Sequence, residues 1–298
     1  MPFSAMACRA HMLCAVHLAV LLTGMANAMA ASADDSQSGN TKGWLDAWFE
    51  RSDRAKETQP HWITPLVTVT PRLEQEVRYD QLWQRRPNAS DFTSYGGGKG
   101  LELIPTEHTE IIIGVPAYQV RETRAGREHG WADETFLFKY RLLSANEENG
   151  NYIVSGFLGL SVPTGSDPFT TGHTIVTPTL AVGKGWGTRE SGFDVQSTLS
   201  ISYPDGNEKK VGVPIVWNTA FQAHVFEKFW PEVETHYTHW THGSNAGKSQ
   251  LAVTAGMVAG RFPIAGRIRL VVGVGYQEVV TDFKAFDHAW IATGRVVF

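Results

Sequence analysis

Three closely spaced histidines are the first residues in this sequence whose types suggest chemistry. His236, His239 and His242 carry imidazole nitrogens, which are common ligands of transition metals. Polar and apolar residues alternate around them, which predicts a β-strand whose neighbouring side chains point to opposite faces. His236 and His242 would then share one face and His239 would lie on the other. Because a regular strand cannot bring these three ligands to one ion, the sequence predicts no metal site and no cofactor.

A second candidate for chemistry begins at the last of these histidines. The run His242-Gly243-Ser244-Asn245 resembles the His-x-Ser-Asn element of outer-membrane lipid A deacylases. The resemblance implies that His242 would activate Ser244 as a nucleophile while an acidic residue orients the histidine. Residues 248–260, which follow, contain no Asp or Glu. Since Gly, Ser and Asn are also ordinary turn residues, we predict that the protein is not an enzyme. A lipid-modifying esterase remains the alternative.

Charged and amide side chains recur on one face of the alternating pattern. In the clearest stretch, 67–80, arginines and carboxylates alternate with valine, leucine and tyrosine. In a barrel this face would line the lumen. The predicted lumen-lining residues are Arg72, Glu74, Glu76, Arg78, Asp80, Glu102, Lys139, Arg141, Asp194, Gln196, Gln222, His224, Glu232, Glu234, Arg267 and Arg269. Opposite charges in one wall suit either a salt-bridge ladder that fills the interior or a selective pore, and both interpretations stay open.

The elements that would position these residues are long β-strands. The alternation over 67–80 exceeds the ~5–6 residues usual for strands of soluble proteins and suits a strand that crosses a lipid bilayer. Pro71, Pro116, Pro178 and Pro214 fall inside predicted strands and imply bulges there. Similar patterns predict further strands at 101–105, 110–120, 135–143, 152–162, 174–186, 193–203, 213–224, 232–242, 251–262, 267–277 and 288–298. We therefore expect an all-β fold, an antiparallel transmembrane barrel of about twelve strands.

Connections and aromatic residues support the barrel interpretation. Predicted short turns alternate with longer loops rich in Gly, Asn, Asp and Lys, as the two ends of a membrane barrel require. Aromatic residues near the predicted strand ends would form girdles at the two membrane interfaces, where they anchor the barrel in the lipid bilayer. The predicted interfacial residues are Tyr79, Trp83, Trp186, Tyr203, Trp230, Tyr276, Trp290 and Phe298.

Composition excludes several other classes of protein. The 298 residues carry a net charge of −4 and have a mean hydropathy of −0.20. This hydropathy is too low for a bundle of membrane helices, and the charge offers no basic excess for binding nucleic acid. Residues 1–30 are predicted to be a signal peptide, with an apolar core of about ten residues. Both cysteines, Cys8 and Cys14, lie within it, so the exported chain would contain no disulfide.

The predicted organisation after the signal is a periplasmic segment, 31–63, followed by the barrel, 64–298. Apolar residues at helical spacing predict a short amphipathic helix at 44–49. It could pack at the mouth of the barrel, or it could serve as a plug or as an arm that binds a partner. The chain ends on Phe298, and a terminal aromatic on an alternating strand resembles the signal read by the outer-membrane barrel assembly machinery.

Several sequence blocks resemble one family over roughly 64–298. They are FLFKYRLL at 136–143, GLSVPTG at 159–165, WPEVE at 230–234, GMVAGRFP at 256–263 and VGYQ at 274–277, together with the terminal Phe298. These blocks resemble outer-membrane proteins associated with the meta pathway of phenol degradation. The resemblance implies a barrel that passes small, often aromatic or hydrophobic, molecules. Our expectation is a monomeric channel in the outer membrane, with a closed structural barrel as a further alternative.

Overall fold

The computed structural model describes residues 43–97 and 99–298. The predicted signal peptide and both cysteines lie outside this range. A compact unit that begins at Arg51 contains all the β-strands of the described part. No helix in that part is both long enough and apolar enough to cross a membrane.

One antiparallel sheet forms the fold, and its strands pair with their sequence neighbours once the segments of interrupted strands are joined. Two α-helices are described, α1 (Trp44–Glu57) and α2 (Glu208–Val211). The strands are β1 (Glu76–Arg86), β2 (Ser90–Tyr95), β3 (Gly100–Thr106), β4 (Thr109–Gly114), β5 (Tyr118–Thr123), β6 (Gly126–Trp131), β7 (Glu134–Ala145), β8 (Tyr152–Val162), β9 (Ile175–Gly187), β10 (Gly192–Ile201), β11 (Tyr203–Pro204), β12 (Val213–His224), β13 (Phe229–His242), β14 (Ser249–Ala265), β15 (Ile268–Val279) and β16 (His288–Val297).

The sheet closes on itself to form a barrel of twelve strands. β1 pairs with β16 along its length, from Glu76 opposite Val297 to Arg85 opposite His288, which joins the two ends of the sheet. Four of the twelve barrel strands are interrupted, so that β2 with β3, β4 with β5, β6 with β7, and β10 with β11 each count once. Closure joins the two ends of the sheet, while the short extensions β6 and β11 each pair with one neighbour. The predicted fold class and strand number are confirmed.

The two faces of the wall differ in polarity. Outward side chains are apolar and exposed, among them Leu180, Leu199, Trp217, Val274 and Trp290. Inward positions of the same strands carry buried polar groups such as Asp194, Gln196, Thr254 and Gln277. In water an apolar surface that surrounds the whole barrel would be unfavourable, so this arrangement suits a nonpolar environment outside the barrel.

The first predicted strand is wrong over its first nine residues. The alternation over 67–80 becomes a wall strand only from Glu76 onward, while residues 67–75 belong to an irregular segment that lies inside the barrel. Alternating polarity indicates an extended chain whose two faces have different surroundings, one polar and one apolar. A segment inside the barrel can meet both kinds of surroundings, just as a wall strand does. Pro71, predicted to mark a bulge, lies in this inner segment.

The other prolines and two loops also gain a structural explanation. Pro116 lies in the break between β4 and β5, and Pro214 lies where the β12–β13 register shifts. Pro178 lies within β9 opposite Leu158. The predicted long loops at 84–97 and 121–130 contain strands β2 and β6, which extend the wall at that end. Charged and small residues dominate both strands, so their sequences lack the apolar alternation that indicated the others.

Candidate functional site

The interior of the barrel is occupied by the inner segment, Gln59–Gln75, which we call the plug. Nearly all its residues are buried, including Trp62, Leu66, Thr68 and Leu73. Its hydrogen bonds reach wall residues all around the barrel, on β1, β4, β7, β8, β10, β13, β14 and β16. The plug is therefore bonded to the whole circumference of the wall.

Arginines of the wall bind the carbonyl groups of the plug. Arg261 donates to the carbonyl oxygens of His61 and Trp62, at 2.5 and 2.6 Å. Arg295 donates to those of Thr64 and Pro65, at 2.5 and 2.9 Å. Each guanidinium spans two successive carbonyls because its donors form a planar fork.

Arg78 continues this series of carbonyl contacts by donating to the Leu66 carbonyl oxygen at 2.9 Å. Its guanidinium also binds the Asp80 carboxylate at 2.8 Å, which fixes its position along β1. The three arginines thus bind five carbonyl oxygens of the plug between His61 and Leu66, and none of its side chains.

Carboxylates of β13 bind the amide groups that follow. Glu232 accepts the N–H of Leu66 at 3.0 Å. Glu234 accepts the N–H groups of Val67 and Thr68, at 2.8 and 2.6 Å. Hydrogen bonds to a charged group are worth about 1.5–3 kcal/mol each, more than neutral pairs, which applies here to the two bonds of Glu234. The carboxylates of β13 therefore hold the centre of the plug.

Amide side chains complete the contacts on β10 and within the plug. Gln196 accepts from the Thr70 hydroxyl at 2.7 Å and donates to the Ile63 carbonyl oxygen at 3.1 Å. Within the plug, Gln59 and the Leu73 main chain exchange two hydrogen bonds, at 2.8 and 2.9 Å. The plug therefore folds back on itself and bonds to the wall on several sides.

The charged residues at the C-terminal end of the plug form one connected cluster. Arg72 donates to the carbonyl oxygens of Pro60 and Trp62 and pairs with Glu74 at 2.5 Å. The Glu74 N–H donates to Glu110 at 2.6 Å, and Glu110 pairs with Lys139 at 2.8 Å. The side chains of Arg72, Glu74, Glu110 and Lys139 are all buried, and each is paired with a group of opposite charge inside the barrel. This pairing offsets part of the cost of burying the charges.

Glycines in the wall make room for two large plug side chains. A Cβ added at Gly273 or Gly275 would stand 2.9 or 2.6 Å from the Leu66 side chain, and one at Gly256 would also collide with it. A Cβ at Gly183 or Gly185 would stand 2.5 Å from the Trp62 ring. These glycines face inward and form close-fitting recesses, which any larger residue would block.

Ion pairs hold the chain that leads into the plug at the end of the barrel where the short turns lie, such as β3–β4 and β14–β15. Asp53 of α1 pairs with Arg267 in the β14–β15 turn at 2.5 Å, and Arg54 pairs with Glu107 in the β3–β4 turn at 2.6 Å. The hydrogen bond from Arg267 lowers the pKa of Asp53. Lys56 donates to the Phe298 carbonyl oxygen at 3.0 Å. The C-terminal half of α1 is therefore bound at this end of the barrel.

A turn outside the membrane-spanning strands binds the first residues of the plug. Glu147, between β7 and β8, accepts the N–H of His61 at 2.6 Å and lies 2.8 Å from the His61 ring nitrogen Nδ1. Burial by itself would raise the pKa of Glu147, but the hydrogen bonds from the His61 ring and main chain outweigh it and lower the pKa to about 2.

The lowered pKa of Glu147 predicts how the stability of the protein depends on pH. Because the pKa of Glu147 is depressed from 4.5, its contribution to stability is fully present above about pH 4.5 and is lost as the pH falls toward 2. We expect Glu147→Gln to flatten the fall in thermal denaturation midpoint between pH 4.5 and pH 2. Glu148→Gln, an exposed neighbour in the same turn, is the control. Equal pH dependence in the two variants would contradict this assignment.

Most of the predicted lumen residues are placed together in the interior. Buried on the inner face are Glu76, Arg78, Glu102, Lys139, Arg141, Asp194, Gln196, Gln222, His224, Glu232 and Glu234, and Asp80 is partly buried beside Arg78. Arg72 and Glu74 belong to the plug and not to the wall. Arg267 lies in a turn and binds Asp53, and Arg269 donates to carbonyls of its own turn, Gly266 and Ile268.

The predicted interfacial aromatics divide into two groups. Trp83, Trp186, Tyr203 and Trp290 are exposed on the outside, and Tyr79 and Tyr276 are half-buried. Trp230 differs from the prediction because it faces inward, is only 1% exposed and stacks against His224. Phe298 is also buried, and its main chain contacts Gln75 and Lys56. Both lie beside the plug rather than on the outer surface.

The histidines and serine that suggested chemistry do not come together. His236 faces the interior, whereas the His239 ring bonds the Ser249 hydroxyl on the other face at 2.8 Å. His242 lies 3.1 Å from the Thr241 hydroxyl, and among the described residues no carboxylate is within ion-pair distance of it. The described chain also has no cluster of three or more His, Cys, Asp or Glu that could hold a metal.

Known proteins resemble this chain in fold alone. No family model and no curated protein sequence matches it. An outer membrane channel from Pseudomonas putida F1 is 14% identical with a TM-score of 0.48, over 75% of this chain and 94% of that chain. The NanC porin is 10% identical with a TM-score of 0.43, over 74% and 98% of the two chains. The KdgM porin is 11% identical with a TM-score of 0.42, over 74% and 99%.

These values are too low to support an argument about function. The fold assignment therefore rests on this chain's own strand pairing, and the resemblance to the phenol-pathway proteins stays a prediction.

Several important residues were missed by the sequence interpretation. Arg261, Arg295, Leu66 and Trp62 hold or form the plug, but none was predicted to act in the lumen. One signal was available, because glycines recur on one face of three strands, at alternate positions in β9 and β15 and four residues apart in β14. Inward glycines in a strand commonly mark a close approach by other parts of the chain, and here they mark the Leu66 and Trp62 recesses.

Proposed function

We propose that the protein is an outer-membrane channel for small solutes whose passage is controlled by the plug. The observation that carries the proposal is a closed barrel with an apolar outer face and a polar interior that contains a separate segment. The apolar face favours a lipid environment, since only helices and closed barrels satisfy their backbone groups there. The signal peptide predicted at 1–30 would direct export, and Phe298 would be read during insertion by the assembly machinery.

The chemistry of the interior supports a plug that can move. Wall and plug meet through hydrogen bonds and ion pairs, which water can replace when the plug is displaced, and through a small apolar cluster around Leu66 and Trp230. Glu76, Arg78 and Glu102 also keep a buried polar atom without a protein partner among the described residues. Unpaired buried polar groups are costly, so they favour an interior that water or solute enters.

A second candidate, a closed structural barrel, is favoured by one observation. The plug is bonded to strands around the whole wall, and a permanently filled lumen would carry no solute. The two functions differ in whether the plug ever leaves its position.

Reconstitution tests the proposal directly. We expect the folded chain to migrate differently on a gel before and after boiling, and to give conductance in planar bilayers or solute uptake in liposomes. Absence of the gel shift, with the protein found soluble in the periplasm, would refute the membrane barrel. A normal gel shift without conductance or uptake would refute the channel and leave the structural barrel.

A further inference from the structure

Basic and aromatic side chains alternate on the inner face of the wall at the long-loop end of the barrel. The Arg86 guanidinium lies over the Phe92 ring, 4.0 Å from its centre. Phe92 is in turn directly opposite Arg121 in the β2–β5 pair, on the same face. The Arg121 guanidinium lies 5.8 Å from the centre of the Phe169 ring. We call these four residues, Arg86, Phe92, Arg121 and Phe169, the mouth track.

Phe169 belongs to the connection between β8 and β9, and this connection is fixed against the same face. Ser166 exchanges two hydrogen bonds of 2.9 Å with the main chain of Trp131 at the end of β6. Asp133 accepts the N–H groups of Gly165 and Thr171, at 3.0 and 2.9 Å. The β8–β9 connection is therefore held by hydrogen bonds on both sides of Phe169, which gives this residue a defined position.

A glycine makes room for this loop. A Cβ at Gly130 would stand 3.0 Å from the Phe169 ring and would also collide with the Ser166 hydroxyl. Gly130 faces the same side as Arg121, because both lie on the inner face of the β5–β6 pair. The mouth track is thus built by three wall strands, β1, β2 and β5, and by the β8–β9 connection, and is not a chance contact within one loop.

The charges of the mouth track do not cancel. Arg121 binds Glu128 through two donors, at 2.8 and 2.5 Å. The side chain of Arg86 donates to Gln84 at 2.8 Å, and no carboxylate of the described chain lies within ion-pair distance of it. The positive charge of Arg86 therefore remains available beside the Phe92 ring. Arg86, Arg121 and Phe169 are only partly buried, so a solute in the mouth can reach them.

We infer that the mouth track binds small aromatic carboxylates as they approach the lumen. A guanidinium pairs with a carboxylate through two parallel hydrogen bonds, which a neutral solute cannot make. An aromatic ring can stack on a guanidinium plane or pack against a phenylalanine, which gives a flat solute an advantage over an aliphatic one of equal size. This assignment of a solute class rests on the proposed channel function.

Binding of a solute can be measured without transport, so the proposed binding site and the proposed channel function can be tested separately. The probe is radiolabelled benzoate, in equilibrium dialysis against the full folded chain in detergent micelles. Arg86→Gln keeps the length of the side chain and removes its charge. We expect it to weaken benzoate binding by at least about tenfold, since a charge-assisted pair is lost. Benzyl alcohol, which has the ring without the charge, should bind the unchanged protein far more weakly than benzoate.

Arg85→Gln is the matched control. Arg85 is the neighbouring residue on the opposite face of β1, where it pairs with Asp91 at 2.7 Å. We expect this variant to bind benzoate as the unchanged protein does, with the same gel shift on heating. Equal losses in Arg85→Gln and Arg86→Gln would show a general charge effect and overturn the assignment.

The aromatic half of the assignment has its own test. We expect Phe169→Leu to weaken the binding of benzoate more than that of cyclohexanecarboxylate, because only the flat ring loses a stacking partner. Equal effects on the two anions, or no benzoate binding by the unchanged protein, would overturn the assignment. Benzoate binding without conductance would instead refute the channel and leave the mouth track as a binding site.

Discussion

Glu234→Ala is expected to raise the conductance of the reconstituted barrel by at least about tenfold. Its carboxylate accepts the N–H groups of both Val67 and Thr68, at the centre of the plug. Two hydrogen bonds to a charged group are together worth about 3 kcal/mol or more, and each 1.4 kcal/mol changes an equilibrium constant tenfold. Without the carboxylate the two N–H groups are unpaired while the plug is in place but hydrated when it leaves. The substitution therefore favours the displaced plug.

The control for this variant is a carboxylate on the outer face. Glu278→Ala removes a group that accepts from the Tyr276 hydroxyl at 2.6 Å and makes no contact with the plug. Single-channel recording in planar bilayers should show increased conductance in Glu234→Ala alone. An unchanged conductance in Glu234→Ala, with a normal gel shift, would mean that the plug is a permanent part of the barrel.

Gly275→Val is expected to displace the plug by collision rather than by loss of a bond. The new side chain would start 2.6 Å from a methyl carbon of Leu66 and 3.3 Å from atoms of Ala255 and Thr254. Overpacking of this kind costs about 1–3 kcal/mol, and the plug can relieve it by leaving the lumen. We expect higher conductance and new trypsin cleavage after Arg72, which is only 2% exposed while the plug is in place.

Two further variants make this prediction specific. Leu66→Ala combined with Gly275→Val should restore low conductance and protection of Arg72, because the smaller plug residue leaves space for valine. Gly294→Val is the matched control, since a Cβ added at Gly294 meets no atom within 4 Å. If Gly294→Val opened the channel as much as Gly275→Val does, the effect would come from the strand and not from the Leu66 recess.

The plug and the mouth track suggest a division of roles along the barrel. Aromatic anions would be bound at the long-loop end by residues of the mouth track. Passage would then depend on the plug, whose connection to α1 is held at the opposite end by Asp53 and Arg54. Changes at Arg86 should therefore alter which solute binds, and changes at Glu234 or Gly275 should alter how much conductance the barrel allows.

Alternation of residue types was enough to predict the wall of the barrel. In a strand the side chains point to opposite faces with a period of two, so apolar residues facing outward and polar residues facing inward leave a local pattern. The strands around Asp194 and Val274 could be predicted in this way, and so could the number of strands. The alternation of short turns with long loops is equally local, and it indicated the two different ends of a membrane barrel.

The occupation of the lumen depended on contacts that no local pattern records. Residues 67–75 show the same alternation of polar and apolar residues as a wall strand. An extended segment with one polar and one apolar side has this pattern whether it lies in the wall or in the lumen. Only the pairing of β1 with β16 closes the wall from Glu76 onward and leaves the preceding residues inside. The plug is bound by Arg261 and Arg295, which are about 200 residues or more away from it in sequence. Closure of the barrel brings these distant residues together, so the tertiary structure alone decided what fills the lumen.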